Sequence, residues 1–402
     1  MEKPQPIKFS HFGFPQEEML EVAKKRKKLV IGIPREDQKY ENRVPLTPEA
    51  VEILVNKEHE IIIEKGAGEA ANYSDSHYSE NGGYIVENKK SVYQADILLK
   101  VAPPTLSELD YLKGQQVLIS SLHFNAQTEE YIKKLLKKKV TAIAFENIKD
   151  ENHSFPMVHS MSAIAGTASV LIAAEHLSTV HGGKGVLLAG ITGITPTEVV
   201  IIGAGTAAEF AVKAASGLGA MVKIFDHSVH KLRKLQNNLG MTLHTSVFHP
   251  KVLEKSLKSA DVVIGAIHLN EKGPRYYVTE EMIKGMKKGT VIVDLSIDQG
   301  GCFETSKCRN HNDPVFVKHG VIHYCVPNLP SRVARTASIA LSNVLLPIMQ
   351  NFGDAGGSNK HLKEDLGLRH GVYVFNGILT NAYIGNYFGI PSKNIDLLMA
   401  AF

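Results

Sequence analysis

Apolar residues along the chain gather in short runs separated by amphipathic stretches. LVIGIP at 29–34, EIIIEKG at 60–66, ADILLKV at 95–101 and QVLISSL at 116–122 are continuous runs of strand length, as strands buried on both faces require. Between them lie stretches of helical period, such as EEYIKKLLKKK at 129–139, and Thr47-Pro48 predicts a helix with proline at its first position. A second series follows: EVVIIGAG, AMVKIFDH, ADVVIGAI, GTVIVDLS and GVIHYCV. Two such alternations predict an α/β chain with two domains, each built on a mostly parallel sheet.

Two segments break the alternation. MSAIAGTASVLIAAEHLS at 161–178 and TASIALSNVLLPIM from Thr336 are apolar nearly all round and rich in small residues. That composition predicts long buried helices joining the domains. HGGKGVLLAGITGITP at 181–196 reads as a glycine-rich loop, and the chain beyond the second long helix reads as helical with an aromatic patch. The resulting division is an extension at 1–28, a first domain at 29–158 completed by 336–402, and a second at 159–335. The extension is polar, carries Pro4, Pro6 and Pro15, and ends in KKRKK at 24–28, a run read as a solvated helix end before a strand.

The totals narrow the function classes. The 402 residues are 44% hydrophobic and 21% charged, with a net charge of +4, so the chain reads as soluble and globular. The basic excess is mild and spread out, which argues against a nucleic-acid surface and leaves room for small anionic ligands. Cys302, Cys308 and Cys325 form no Cys-x-x-Cys pair, so reduced cytoplasmic thiols are expected, with no metal site and no disulfide. The opening residues lack the apolar run of a signal peptide, and the apolar stretches read as shorter than the roughly 20 residues of a membrane span.

VVIIGAGTAAEFAVKAASGLGAMVKIFD at 199–226 carries the first specific chemistry. An apolar strand enters Gly203-Ala204-Gly205-Thr206-Ala207-Ala208, and a helix of small residues follows. Gly203 permits the tight turn, Gly205 lets a pyrophosphate approach the backbone, and Ala208 lets the helix pack on its strand. The helix start presents unpaired N–H groups to phosphate. A glycine turn in some other α/β domain would look similar at the first three positions. Here the turn lies inside a strand–turn–helix–strand unit, and Asp226 ends the second strand about 20 residues on, where a carboxylate accepts ribose hydroxyls and repels a 2′-phosphate. His227-Ser228 follow with no arginine, so the cofactor expected of this Rossmann-like domain is NAD rather than NADP.

Further motifs stand in order along the chain: IGIPRE…ENRVPLTP at 31–48, KGAG at 65–68, LLKV at 98–101, SLHFN at 121–125, GGKGVLLAG at 182–190, VDLSIDQGGCFE at 293–304 and VPNLP…RTAS at 326–338. With the dinucleotide turn they resemble the alanine dehydrogenase and NAD(P) transhydrogenase alpha-subunit family. The resemblance implies two Rossmann-like domains joined by long interdomain helices, and reversible NAD-dependent oxidative deamination of L-alanine to pyruvate and ammonium. It places the substrate carboxylate on Arg43 and Lys100, and the proton-transfer roles on His123 and Asp298. It adds Ser162, Thr206, Ala207, Lys231, Ile267, His268 and Asn328 to the cofactor contacts Gly203, Gly205 and Asp226.

The residue types suit those roles. Guanidinium meets carboxylate bidentately, and imidazole titrates near ~6.5. Each also has a bland reading: a solvated Arg43, a strand-end cation at Lys100, a structural His123, a turn cap at Asp298, a core Ile267. Family members commonly assemble as hexamers, so a homo-oligomer is implied, with a cleft that closes on the cofactor.

Several positions depart from the pattern. Ala163 and Thr167 replace a charged pair, Val101-Ala102-Pro103-Pro104 follows Lys100, LNEKGPRYY occupies 269–277, Lys307 stands for an arginine and Phe248 for a small polar residue. These bear on substrate choice. A saccharopine- or lysine-type dehydrogenase of the same family, with Arg275 or Arg332 reading a longer substrate, is the main alternative. A transhydrogenase NAD-binding subunit and a non-catalytic NAD-binding protein are the others.

Overall fold

Fifteen short strands carry the architecture of the computed structural model, which describes residues 26–122, 127–268 and 275–401. The first six are β1 (Val30–Ile33), β2 (Glu60–Glu64), β3 (Tyr84–Val86), β4 (Ile97–Leu99), β5 (Val117–Ser120) and β6 (Thr141–Ala144). Seven more follow: β7 (Glu198–Ile202), β8 (Met221–Phe225), β9 (His244–Ser246), β10 (Val262–Gly265), β11 (Val291–Asp294), β12 (Val315–Lys318) and β13 (Val321–Tyr324). The last pair is β14 (Val372–Phe375) and β15 (Ile378–Leu379). They form two sheets, ordered β15-β14-β6-β5-β4-β1-β2-β3 and β12-β13-β11-β10-β7-β8-β9. All pairings are parallel except those of β14 with β6 and β15, and of β12 with β13. The expected α/β class with two mostly parallel sheets is what the chain adopts.

The central strands β1, β4, β7, β10 and β11 are almost wholly inaccessible, because helices cover both faces of each sheet. Each sheet has one point where strand order reverses, between β1 and β4 in the first and between β7 and β10 in the second. The loops leaving neighbouring strands there part to opposite faces and open a crevice, the place where α/β sheets bind ligands.

Four helices position the site: α1 (Pro48–Asn56), α2 (Pro156–Leu177), α3 (Thr206–Gly217) and α4 (Ala334–Asp354). Thr47 caps α1 with its side chain and Pro48 takes the first position, as expected. In α2, Met157 packs into the core of the first sheet while Val170, Ile172 and Ala173 pack into that of the second. It therefore joins the two units. It is also long and apolar enough to cross a membrane by length and composition, which corrects the expectation that no apolar segment reaches that length. The helix begins before the 161–178 motif, at Pro156, and ends at Leu177.

A second correction concerns the end of the chain. Residues 372–379 are not helical but form the β14–β15 hairpin, added antiparallel to β6. Asn376 and Gly377 turn the chain with φ of 46° and 80°, the geometry that matches the twist of two joined strands. The helices Ala382–Phe388 and Ile395–Ala401 follow.

Candidate functional site

The dinucleotide turn lies at the switch point of the second sheet. The Gly203 N–H donates to the Phe225 carbonyl at 2.7 Å, and its φ of 114° belongs to glycine. A Cβ at Gly203 would fall 2.3 Å from the Ala266 carbonyl oxygen, whereas one at Gly205 would meet nothing within 4 Å. The two glycines therefore serve different needs: the first is demanded by the fold, and the second leaves open space over the backbone. Among the described residues no side chain caps α3, and the first turn of a helix directs its N–H groups, here those of Thr206 and Ala207, outward as donors suited to phosphate oxygens. These features fit a pyrophosphate.

Asp226 ends its strand as expected, 1% exposed. Its two carboxylate oxygens accept the N–H groups of Ala204 at 2.9 Å and Ser228 at 2.8 Å. The side chain therefore braces the turn, a duty the motif alone did not reveal. Ser162 lies on α2, which crosses the turn closely at Gly166. Ile267 is buried with its side chain in the core, and its carbonyl accepts the Ser296 hydroxyl at 2.6 Å. His268 and Lys231 are exposed.

Arg43 and Lys100 follow the two strands at the switch point of the first sheet, β1 and β4, and both are buried. Each meets a carboxylate that sequence reading passed over. Lys100 pairs with Glu36, whose other oxygen accepts the Val101 N–H at 2.6 Å. Burial pushes the Glu36 carboxyl up to about 7, against the pull of Lys100, and the charge of Glu41 adds to the rise. Arg43 is held bidentately by Glu41, Nε to Oε1 at 2.8 Å and Nη2 to Oε2 at 2.6 Å, and its Nη1 lies 3.2 Å from Met161 Sδ. Despite burial, the Arg43 guanidinium and the Asn328 amide hold the Glu41 carboxyl below the usual range.

The loop bearing Arg43 is fastened to the far part of the chain. Asn42 N–H donates to Ser331 Oγ at 2.8 Å, Val44 N–H to Ser338 Oγ at 2.9 Å and Thr47 N–H to Ser342 Oγ at 3.2 Å. Asn328, with a left-handed φ of 55°, donates to Glu41 Oε2 at 2.8 Å. Asn328 is thus brought to Arg43 across the fold. The one available signal was the pair Ser338 and Ser342, four apart on a buried helix, which need partners.

Asp298 sits in the 3₁₀ turn Ile297–Gln299 after β11. That turn is shaped by Asp294, 1% exposed, whose oxygens accept Ser296 N–H at 3.0 Å, Cys302 N–H at 3.0 Å and the Ser306 hydroxyl at 2.6 Å. Burial, with a smaller contribution from the nearby Asp298 charge, pushes the Asp294 carboxyl up to about 6. His123 lies outside the described residues, as does 269–274 of the divergent 269–277 segment. Leu122, just before His123, donates its N–H to Glu146 Oε1 at 2.6 Å.

Comparison with known proteins places this geometry in a lineage. Alanine dehydrogenase 2 of Staphylococcus aureus (strain USA300) is 39% identical over 368 residues, covering 91% of this chain and 98% of that protein. Alanine dehydrogenase of Staphylococcus saprophyticus is 39% identical over 369 residues, covering 92% and 99%. A solved L-alanine dehydrogenase superposes with a TM-score of 0.84 at 35% identity, covering 90% of this chain and 99% of the other. A transhydrogenase from Sinorhizobium meliloti shares the fold, with a TM-score of 0.74 at 22% identity over 88% of this chain and 99% of that one. The family models described as Alanine dehydrogenase/PNT match at residues 32–165 for the N-terminal domain and 169–382 for the C-terminal domain. With both halves matched and the crevices at both switch points built from its motifs, the chain belongs to the alanine dehydrogenase/PNT family.

Proposed function

We propose that the protein is an NAD-dependent amino-acid dehydrogenase that interconverts L-alanine with pyruvate and ammonium. The observation that carries the reading is a pair of buried cations, Arg43 and Lys100, following adjacent strands at one switch point. Bound NAD would supply the hydride acceptor. Arg43 and Lys100 hold the substrate carboxylate, which fixes the Cα hydrogen in one direction and leaves little entropy to lose in the transition state.

Loss of hydride from Cα leaves an imine, which water attacks. His123 and Asp298 take the proton from that water and return one to the departing amine. In reverse they protonate the oxygen that leaves as water. General acid–base assistance of this kind is worth ~10²–10⁴-fold. Glu36 and Glu41 hold the buried Lys100 and Arg43 side chains in place. Ser162, Gly203, Gly205, Thr206, Ala207, Asp226, Lys231, Ile267, His268 and Asn328 line the cofactor's path. In this reading 29–158 with 336–402 forms the substrate domain and 159–335 the NAD domain, in a soluble cytoplasmic homo-oligomer, a hexamer by family habit.

The test is NADH oxidation with ammonium and a panel of 2-oxo acids. Pyruvate should be the best substrate, and activity with 2-oxoglutarate plus lysine but not pyruvate would overturn the reading. His123→Ala and Asp298→Asn should lose turnover while still binding NADH, and near-wild-type turnover in either would remove that residue from the mechanism.

A further inference from the structure

The Glu41 carboxylate receives four donors. Oε1 accepts the Arg43 backbone N–H at 3.0 Å and Nε at 2.8 Å, while Oε2 accepts Arg43 Nη2 at 2.6 Å and Asn328 Nδ2 at 2.8 Å. Glu41 is 2% exposed and Arg43 6%. A buried cation needs a counter-charge for stability alone. Neutralising Arg43 does not require Asn328, however. That residue comes from 287 positions away with a left-handed backbone. Its amide nitrogen spends its donors on this one loop, on Glu41 and on the Tyr40 carbonyl at 3.2 Å.

Two consequences follow from the pattern. Glu41 occupies the Nε–Nη2 edge of the guanidinium, so an incoming carboxylate is left the Nη1–Nη2 edge. There, among the described residues, Nη1 meets the Met161 thioether at 3.2 Å, a weak acceptor that a carboxylate outcompetes. Meanwhile the orientation of the Asn328 amide is set by the same carboxylate that orients Arg43.

From this geometry we infer that Glu41 is a positioning residue that couples the two halves of the site. It aims Arg43 end-on at the substrate carboxylate and, through Asn328, ties that aim to the occupancy of the dinucleotide crevice. The inference rests on the proposed function for the roles of Arg43 and Asn328. Coupling of this kind is reciprocal and is read as a ratio of affinities.

The experiment measures the Kd of NADH by fluorescence with and without saturating pyruvate, ammonium being withheld so that no amination occurs. In the wild type pyruvate should tighten NADH by roughly fivefold or more. Glu41→Gln and Asn328→Ala should each bring that ratio close to one, and the double variant should lower it no further. Asn328→Ala leaves Arg43 and Glu41 paired, so it decides the matter if Glu41→Gln does not fold. A purely structural role would lower Tm and leave the ratio intact. A wild type that turns over pyruvate yet shows no coupling, or an Asn328→Ala protein that keeps it, overturns the inference and leaves the function standing. Coupling seen only with another 2-oxo acid of the panel overturns the substrate and supports Glu41.

Discussion

Gly166 of α2 lies directly against Ala207 at the start of α3: a Cβ on Gly166 would fall 2.1 Å from the Ala207 carbonyl oxygen. The helix that joins the two sheets is thereby seated on the glycine turn at 203–208. An added methyl cannot be accommodated without moving one helix, and packed helices resist such shifts. Gly166→Ala should therefore weaken NADH binding by roughly tenfold and lower Tm. A fluorescence titration giving the wild-type Kd would show that α2 does not set the shape of the turn.

Gly203 and Gly205 should separate folding from binding. Gly203→Ala meets both a φ of 114° and the Ala266 carbonyl, so it should lose about 2 kcal/mol of stability or more. Gly205→Ala has open space and should leave Tm nearly unchanged while weakening NADH, because the methyl stands where the pyrophosphate comes close. Thermal melts and NADH titrations on the two proteins settle the contrast. Equal Tm values would contradict it.

His323, wholly buried in β13, carries a pH dependence that can be isolated. Its Nδ1–H donates to the Val321 carbonyl at 2.9 Å, and Nε2 accepts the Thr305 hydroxyl at 2.8 Å. Burial lowers its pKa to about 4. Above about 6.5 the imidazole is neutral in both folded and unfolded states. As pH falls from there toward 4, the unfolded chain takes up the proton first, and stability is lost by at most about 3 kcal/mol. The Tm advantage of wild type over His323→Phe should shrink across that window. An advantage independent of pH would mean that the ring protonates without cost.

The β14–β15 hairpin should be sensitive to its turn. A Cβ on Gly377 would lie 2.7 Å from the Leu136 carbonyl at a φ of 80°. Gly377→Ala should cost about 1–2 kcal/mol without changing NADH affinity, since the hairpin belongs to the other sheet. A loss of cofactor binding at unchanged Tm would run against this.

The chain's local patterns were enough for most of the framework. Continuous apolar runs at 30–33, 97–99 and 199–202 announced strands because parallel strands are buried on both faces. Gly203, Gly205 and Asp226 announced a dinucleotide turn because that chemistry lies within one strand–turn–helix–strand unit. The hairpin at 372–379 was legible in Asn376-Gly377 but was masked by the helical segments around it. By contrast, no local pattern singles out Glu36 or Glu41. Only folding puts Glu36 beneath Lys100, 64 positions on, and Asn328 beside Glu41, 287 positions on. Sequence by itself determined the central strands of both sheets and the glycine turn between β7 and the helix after it, because both follow from short-range periodicity and spacing. Tertiary structure alone decided which carboxylates hold Arg43 and Lys100, because desolvating a charge forces a partner upon it from wherever in the chain the fold can supply one.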